Sequence, residues 1–266
     1  MQELSLSKLL KNYKKLPEQK KSQAEKITPK LQLEMLKIQQ GLFHQKERAI
    51  IILEGFDAAG KGGAIRTMTE ILDPRSFRVH AIGAPTEDEQ GRHWLYRFWT
   101  NLPKPGRIAV FDRSWYGRVL IEKVEKLTPT NRLTDAYKEI NQFEQMLVND
   151  GIKVIKIFLA ITKEEQLERF EDRLKDPYKN WKITKDDIKA RQKWDDYVIA
   201  VDEIFKKTNT KECPWHLVPG NSKKFAREEV LRIVTSELKE HGKWMENEAG
   251  KMGKRKLEET LRKELQ

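Results

Sequence analysis

The chain lacks paired cysteines, long apolar runs and linker-like segments. Cys213 is its single cysteine, so no intramolecular disulfide can form, and we expect a protein of the reducing cytoplasm. The most apolar stretches, residues 49–53 and 152–161, are far shorter than the roughly 20 residues of a spanning helix, so we expect no membrane protein. With no Gly/Ser/Pro-rich linker and no long repeat, one compact domain with helical extensions is the simplest organisation.

Metal-ligand motifs built on histidine are also missing. The 5 histidines form no HExxH or similar spacing, so a zinc hydrolase is unsupported. Cys213 precedes Pro214 next to a predicted strand, where a small core residue is the better interpretation than a nucleophile.

Positive charge is in surplus. The 266 residues carry 52 Lys+Arg against 41 Asp+Glu, a formal net charge of +11. Such a surplus indicates a polyanionic partner, which is nucleic acid, an acidic membrane surface or a phosphate-rich substrate. Composition alone does not choose among the three.

Strand and helix patterns alternate through the middle of the chain. Short apolar runs predict strands at residues 48–54, 77–81, 108–111, 152–160 and 215–218. Helical periodicity predicts helices at residues 63–72, 88–99, 134–149, 163–174, 184–206 and 223–241. This order predicts an α/β fold in three layers, with a central parallel sheet of about five strands between helices.

Three regions follow from these patterns. Residues 1–45 form a helical N-terminal extension with two helices leading into the core, and residues 46–240 form the core. Residues 241–266 form a Lys- and Glu-rich helical tail whose role the sequence does not reveal.

The sharpest motif is GFDAAGK at residues 55–61, which matches the phosphate-binding pattern GxxxxGK between a predicted strand and a predicted helix. Glycines let backbone N–H groups converge on phosphate oxygens, the helix N-terminus adds a positive dipole, and Lys61 adds a full charge. We call residues 55–61 the phosphate loop. The predicted phosphate-binding residues lie in this loop and in the two positions after it: Ala58, Ala59, Gly60, Lys61, Gly62 and Gly63.

One position departs from the common motif. Gly62 replaces the Ser or Thr whose hydroxyl usually binds Mg²⁺. Asp57 lies inside the loop, where a carboxylate would repel phosphate unless a divalent cation lies between them. Asp57 is therefore a candidate metal ligand, with a hydrogen bond to the loop backbone as the alternative.

A second motif, IAVFDR at residues 108–113, is an apolar strand that ends in an acid and a base. Ligands of open parallel sheets bind at the carboxyl ends of strands, so we expect Asp112 beside the phosphate loop, positioning Mg²⁺. A turn former or helix cap is the alternative role of such an aspartate.

These blocks, EGFDAAGKGG at residues 54–63 and FDRSWYGR at residues 111–118, resemble the polyphosphate kinase 2 family. The resemblance extends over roughly residues 30–240. It implies a P-loop kinase fold with a mobile helical lid at about residues 163–190, and reversible phosphoryl transfer between inorganic polyphosphate and nucleotides. It also explains Gly62, because the family carries glycine there and uses acids for the metal.

The resemblance further implies site roles. Asp57 and Asp112 would be metal-linked acids, and Lys61, Arg113 and Arg118 would contact phosphates. Glu122 lies four residues after Arg118, so on a helix it would share that face, either as a third acid near the metal or as a salt-bridge partner.

A polyanionic donor needs a basic track along the protein. The candidates for this track are Arg66, Lys104, Arg113, Arg118, Lys123, Arg169 and Arg173. Arg169 and Arg173 are four residues apart on one predicted helix, so both can point into a closing cleft, with a solvated helix face as the alternative.

The leading hypothesis is Mg²⁺-dependent transfer, with Mn²⁺ as an alternative metal, between polyphosphate and the nucleoside diphosphates ADP and GDP. Three alternatives stay open: acceptance of the monophosphates AMP or GMP, an ordinary ATP-dependent nucleotide kinase, and a non-catalytic binder of RNA or polyphosphate. Asp57 and Asp112 beside Lys61 favour catalysis over binding alone, because carboxylates would only weaken a pure anion-binding groove. We expect nucleic acid not to be the partner. From the resemblance we expect a homo-oligomer, a dimer or tetramer.

Overall fold

A five-stranded, wholly parallel sheet organises the chain in the computed structural model, which describes residues 4–13, 21–249 and 261–265. The strands are β1 (Arg48–Gly55), β2 (Phe77–Ala81), β3 (Ile108–Asp112), β4 (Ile152–Ala160) and β5 (Trp215–Pro219). Their order across the sheet is β2-β3-β1-β4-β5, and each neighbouring pair is parallel. The predicted sheet is thus confirmed.

The helices pack around this sheet in two groups. They are α1 (Leu6–Lys11), α2 (Lys21–Gln45), α3 (Lys61–Thr69), α4 (Tyr96–Trp99), α5 (Ile121–Val124), α6 (Thr130–Asn149), α7 (Lys163–Lys175), α8 (Lys185–Gln192), α9 (Trp194–Thr208), α10 (Lys223–Glu237) and α11 (Lys239–Ala249). Single turns of 3-10 helix span Pro74–Ser76, Trp115–Arg118 and Asn180–Lys182. α2, α3, α10 and α11 pack together, while α1 and α6 pack on α9, in keeping with the predicted α/β layers.

The central strand explains why the sequence shows an unbroken apolar run. β1 pairs with β3 on one side and β4 on the other, and its residues 49–53 are completely buried. A strand covered on both faces needs no polar alternation. In the register of the sheet, Leu53 lies opposite Asp112 on β3, so the ends of the two motif-bearing strands meet at one edge.

The predicted helix at residues 223–241 divides at Leu238 into α10 and α11. Two other long helix predictions are wrong in part. Of residues 88–99 only Tyr96–Trp99 is helical, and the residues before it form turns in which Gly91 takes a non-helical φ of +74°. Residues 184–206 form two helices that divide at Lys193, where Trp194 turns inward and stacks on Phe56 with ring centroids 4.1 Å apart. Both differences place side chains around one cleft.

The N-terminal extension and the C-terminal tail both contain helices where the structure describes them. α1 and α2 confirm two N-terminal helices, and Leu6, Met35, Ile38 and Leu42 are buried in the chain's own core. α11 packs against α2, so the predicted boundary at residue 241 falls inside a helix. Residues 261–264 are helical, whereas residues 250–260 and 266 of the predicted tail lie outside the described residues. Within the described ranges, no helix is long and apolar enough to cross a membrane.

A buried ionic network ties the sheet to the turn that follows β3. Lys156 of β4 is fully buried and donates to Glu144 Oε2 on α6 at 2.7 Å, and to the Thr208 carbonyl at 2.8 Å. The other oxygen of Glu144 accepts from Trp115 Nε1 at 3.0 Å and from the Tyr116 hydroxyl at 2.7 Å. Every charge in the network has hydrogen-bonding partners, as burial of an ion pair requires.

We expect Lys156→Met to lower the free energy of unfolding by about 3 kcal/mol or more, because it leaves the Glu144 carboxylate buried without its cation. Lys153→Met on the same strand is the matched control, since its ion pair with Glu237 is part exposed and should contribute less than about 1 kcal/mol. Urea unfolding followed by circular dichroism measures both. Equal losses in the two variants would contradict the assignment.

Candidate active site

The phosphate loop joins the carboxyl end of β1 to the first turn of α3, as the motif predicts. Gly55 has a φ of +151°, and a Cβ there would lie 2.5 Å from the Leu159 carbonyl oxygen on β4. Gly60 caps α3 with a φ of +107° and offers no side-chain acceptor to the first N–H groups of the helix. Those N–H groups are therefore available to an anion.

The carbonyl groups of the loop are held from the other side by three side chains. Lys61 Nζ donates to the carbonyls of Gly55 and Phe56 at 2.9 and 3.3 Å, and Gln166 Nε2 donates to that of Asp57 at 3.1 Å. Arg169 Nη1 donates to the next two carbonyls, those of residues 58 and 59, at 2.8 and 3.0 Å. All five consecutive carbonyls from residue 55 to residue 59 thus have a side-chain donor.

Arg169 is a brace for the loop and does not lie on the predicted polyphosphate track. Its side chain is buried, and Nη2 donates to the carbonyls of Gly220 and Asn221 at 2.6 and 2.9 Å while Nε donates to Glu165 at 2.6 Å. Together with the two loop carbonyls these bonds use all five guanidinium N–H groups. The prediction that Arg169 points into the cleft is corrected, because no donor is left for a phosphate.

Asp57 and Asp112 line one cleft of about 1240 Å³, with Glu54 and Arg113 beside them. Asp57 Oδ1 accepts from Arg113 Nη2 at 2.6 Å, and Oδ2 has no partner among the described residues. The Asp112 carboxylate makes no hydrogen bond to any residue that the structure describes, so its oxygens are available to a ligand. No group of three or more His, Cys, Asp and Glu side chains that could hold a metal occurs within the described ranges.

Burial shifts the pKa values of two groups beneath the loop. The pKa of Lys61 is lowered, chiefly because burial removes water from the ammonium, although Asp57 opposes the shift. The pKa of Glu54 is raised by the same loss of water, against a hydrogen bond from Ser114 Oγ at 2.7 Å. Sequence reasoning missed Glu54 as a site residue, although a charge that ends an apolar strand is a readable signal.

Arg118 and Glu122 lie on the cleft wall and bind each other. Arg118 Nη1 donates to Glu122 Oε2 at 2.5 Å and to Thr128 Oγ1 at 2.6 Å, and its guanidinium lies 5.0 Å from the centre of the Trp94 ring. The salt-bridge alternative for Glu122 is the one that the geometry favours. Arg97 on the same wall binds the Gly83 carbonyl and Glu89, and sequence reasoning missed it.

The remaining members of the basic track are dispersed. Lys104 precedes β3 by four residues and so lies at the amino ends of the strands, at the opposite edge of the sheet from the phosphate loop. Lys123 is in an ion pair with Glu203 of α9. Both predictions are corrected, since neither residue lines the cleft. Arg66 and Arg173 do not line the cleft either, since Arg66 is exposed on α3 and half-buried Arg173 reaches toward the Lys182 carbonyl at 3.5 Å.

A parallel α/β sheet with a glycine-rich loop that leads into a lysine-started helix defines a phosphate-binding α/β protein. The family model described as "Polyphosphate kinase 2 (PPK2)" matches residues 18–246. The chain therefore belongs to the polyphosphate kinase 2 family, as its motifs predict.

The relatives that the chain matches are named for different nucleotides. A polyphosphate:AMP phosphotransferase of Pseudomonas aeruginosa is 48% identical over 71% of this chain and 38% of its own length. A GDP-polyphosphate phosphotransferase of Mycolicibacterium smegmatis is 42% identical over 77% of this chain and 72% of its own length. The chain thus spans about two fifths of the length of the AMP phosphotransferases that it matches.

A solved structure has the same fold. The crystal structure of polyphosphate kinase 2 from Arthrobacter aurescens TC1 superimposes with a TM-score of 0.80 at 34% identity, covering 83% of this chain and 80% of that one.

We expect Glu54→Gln to gain stability over the wild type as pH rises. The folded-state pKa of Glu54 is raised, so the stability that its carboxyl group contributes is present at low pH and lost as pH rises through that pKa. Glutamine keeps an acceptor for Ser114 and cannot ionise. Urea unfolding at pH 5 and pH 8 measures the difference, with Glu87→Gln at an exposed site as the control. A difference that does not grow with pH would count against the raised pKa.

Proposed function

We propose that this protein transfers phosphoryl groups between inorganic polyphosphate and nucleotides, in a reaction that depends on Mg²⁺, with Mn²⁺ as an alternative, and that takes place in the cytoplasm. The observation that carries the proposal is the phosphate loop itself. Side chains donate to its five carbonyls from residue 55 to residue 59, and the carboxylates of Asp57 and Asp112 lie in the cleft beside it. Membership of the polyphosphate kinase 2 family supports the same activity.

The loop and its neighbours supply the positive charge for a phosphate chain. Backbone N–H groups at the start of α3 would cradle phosphate oxygens. Lys61, Arg113 and Arg118 would offset the charge that develops on the leaving oxygen. Lys182 and Lys189 also line the cleft and extend the basic surface toward α8.

The donor set fits a divalent cation. Asp57 and Asp112 present free carboxylate oxygens to one cleft, and oxygen ligands are those that Mg²⁺ prefers. These two residues would hold the metal, whose charge would screen the phosphates from the carboxylates. Glu122 is a weaker candidate, because Arg118 and Thr128 already occupy one of its oxygens.

No general base is needed for the proposed reaction. The attacking oxygen belongs to an already ionised nucleotide phosphate, and the transition state is loose and in line. The protein's contribution is placement of the two phosphates and exclusion of water, which competes as an acceptor. The helical segment that follows the loop brace, from the second half of α7 through α8, is the part we propose as the lid.

Two acceptor classes have support. Relatives named for ADP, GDP and NDP support the nucleoside diphosphates that we expect from the sequence. Nucleoside monophosphates are the second candidate, since the AMP phosphotransferases share 45–48% identity, against 42% for the GDP relative. A dimeric or tetrameric assembly stays a prediction of the family resemblance.

One assay tests the proposal. Purified protein with Mg²⁺ and long-chain polyphosphate is incubated separately with AMP, ADP, GMP and GDP, and the products are separated by chromatography. Phosphorylation of any acceptor supports the function, and the fastest acceptor names the class. Transfer from ATP without transfer from polyphosphate would indicate an ordinary nucleotide kinase instead. Binding of polyphosphate without transfer to any acceptor would indicate a non-catalytic binder.

Asp112→Asn should lower turnover with polyphosphate at least about a hundredfold, because it removes a carboxylate charge that would hold the divalent cation beside the transferring group. The Asp112 side chain has no hydrogen bond to a described residue, so the fold should be unaffected. Asp135→Asn on the exposed face of α6 is the matched control and should keep wild-type turnover. Near-normal turnover in Asp112→Asn would remove this residue from the site.

Substitutions of Arg169 and Arg173 should differ in their effects, one on stability and the other on substrate binding. Arg169→Met leaves buried carbonyls without donors and should cost about 3 kcal/mol or more of unfolding free energy. Arg173→Met, on the segment proposed as the lid, should cost less than about 1 kcal/mol and should raise KM for polyphosphate. Chemical unfolding and steady-state kinetics measure the pair. A stable Arg169→Met variant with only a raised KM would restore the original prediction for Arg169.

A further inference from the structure

The Arg169 brace depends on a turn outside the motifs. Gly220 and Asn221, between β5 and α10, supply two of the five acceptors of its guanidinium. A shift of this turn would move the Arg169 Nη2 group, and the rigid planar guanidinium would carry Nη1 with it. Since Nη1 binds the loop carbonyls of Ala58 and Ala59, the position of the turn sets the position of the loop.

Tyr13 holds this turn in place. Its hydroxyl accepts from the Asn221 backbone N–H at 2.8 Å and donates toward the Ala160 carbonyl at 3.4 Å. The same Ala160 carbonyl accepts from the Gly220 N–H at 2.6 Å. One phenolic hydroxyl therefore joins the end of β4 to the turn on which Arg169 rests.

The segment that carries Tyr13 is itself fixed to the core. Leu6 is completely buried, and its backbone N–H donates to Asp202 Oδ1 on α9 at 2.5 Å. The Ser7 N–H donates to the second carboxylate oxygen of Asp202 at 3.3 Å. With both anchors in place, residues 4–13 reach from α9 to the β5–α10 turn.

Tyr13 lies outside the stretch that the family model matches, which begins at residue 18, whereas its partners Ala160 and Asn221 lie inside it. The loop, Gln166 and Arg169 all fall within the matched stretch. The N-terminal segment therefore adds a support to a brace that is otherwise built from matched residues.

We propose that Tyr13 is a positioning residue for the phosphate loop, acting through the Gly220–Asn221 turn and Arg169. The proposal rests on the proposed function only where it concerns phosphate binding. Its structural part, that the Tyr13 hydroxyl restrains the loop, stands independently of the reaction.

The test is Tyr13→Phe, which removes the hydroxyl and keeps the ring. Tyr96→Phe is the matched control, because the Tyr96 hydroxyl makes no hydrogen bond to any described residue and its ring lies under the Arg92 guanidinium. Two readouts are taken on the full chain: hydrogen exchange of peptides that cover residues 55–64 and 218–222, and calorimetric binding of tripolyphosphate with Mg²⁺.

We expect exchange in both peptides to quicken by about fivefold in Tyr13→Phe, the factor that corresponds to one lost hydrogen bond. The tripolyphosphate Kd should rise about threefold to tenfold, and Tyr96→Phe should match the wild type in both readouts. Asp202→Asn, which loosens the other anchor of the segment, should change both readouts in the same direction. It also replaces Tyr13→Phe in the comparison if that variant fails to fold.

A lowered melting temperature with unchanged loop exchange and unchanged Kd would overturn the proposal, since it would show a structural contact without effect on the loop. If wild-type protein binds no tripolyphosphate, the proposed function fails. The exchange comparison between Tyr13→Phe and Tyr96→Phe then still decides whether Tyr13 restrains the loop.

Discussion

A phosphate loop can present its N–H groups to a ligand only if its carbonyl groups are satisfied elsewhere. Each buried carbonyl left without a donor costs about 1–3 kcal/mol, so a loop of this shape needs donors behind it. Lys61, Gln166 and Arg169 fill that need for the five carbonyls from residue 55 to residue 59. The remaining architecture of the site follows from where these three side chains must be anchored.

That constraint gives α7 two roles. Gln166 and Arg169 fasten its first half to the loop, while its second half leads into the exposed turn at Asn180–Lys182 and α8. A closing motion that keeps these contacts would bend the chain after Arg169. A second buried network, centred on Glu144 and Lys156, holds the turn after β3 in a comparable way, and through it the backbone that carries Arg113 and Arg118.

Local patterns were enough for most of the framework. All five strands were predicted to within a residue or so of their ends. For β1, β3 and β4 the reason is that a strand buried on both faces leaves an apolar run that needs no context. Helix boundaries were less predictable: the interruptions at Gly91 and Lys193 serve the cleft, and the helical periodicity continues across both. Tertiary packing overrides periodicity at such points.

By itself, the sequence determined the parallel sheet, the phosphate loop and the meeting of Asp57 with Asp112, since a motif at a strand end is located by the topology alone. The tertiary structure decided which acceptor each basic side chain binds and where it lies. Arg169 binds carbonyls, Lys123 binds Glu203, and Lys104 lies at the far edge of the sheet. A long basic side chain selects whichever acceptor lies within reach, and only the folded chain brings those acceptors there.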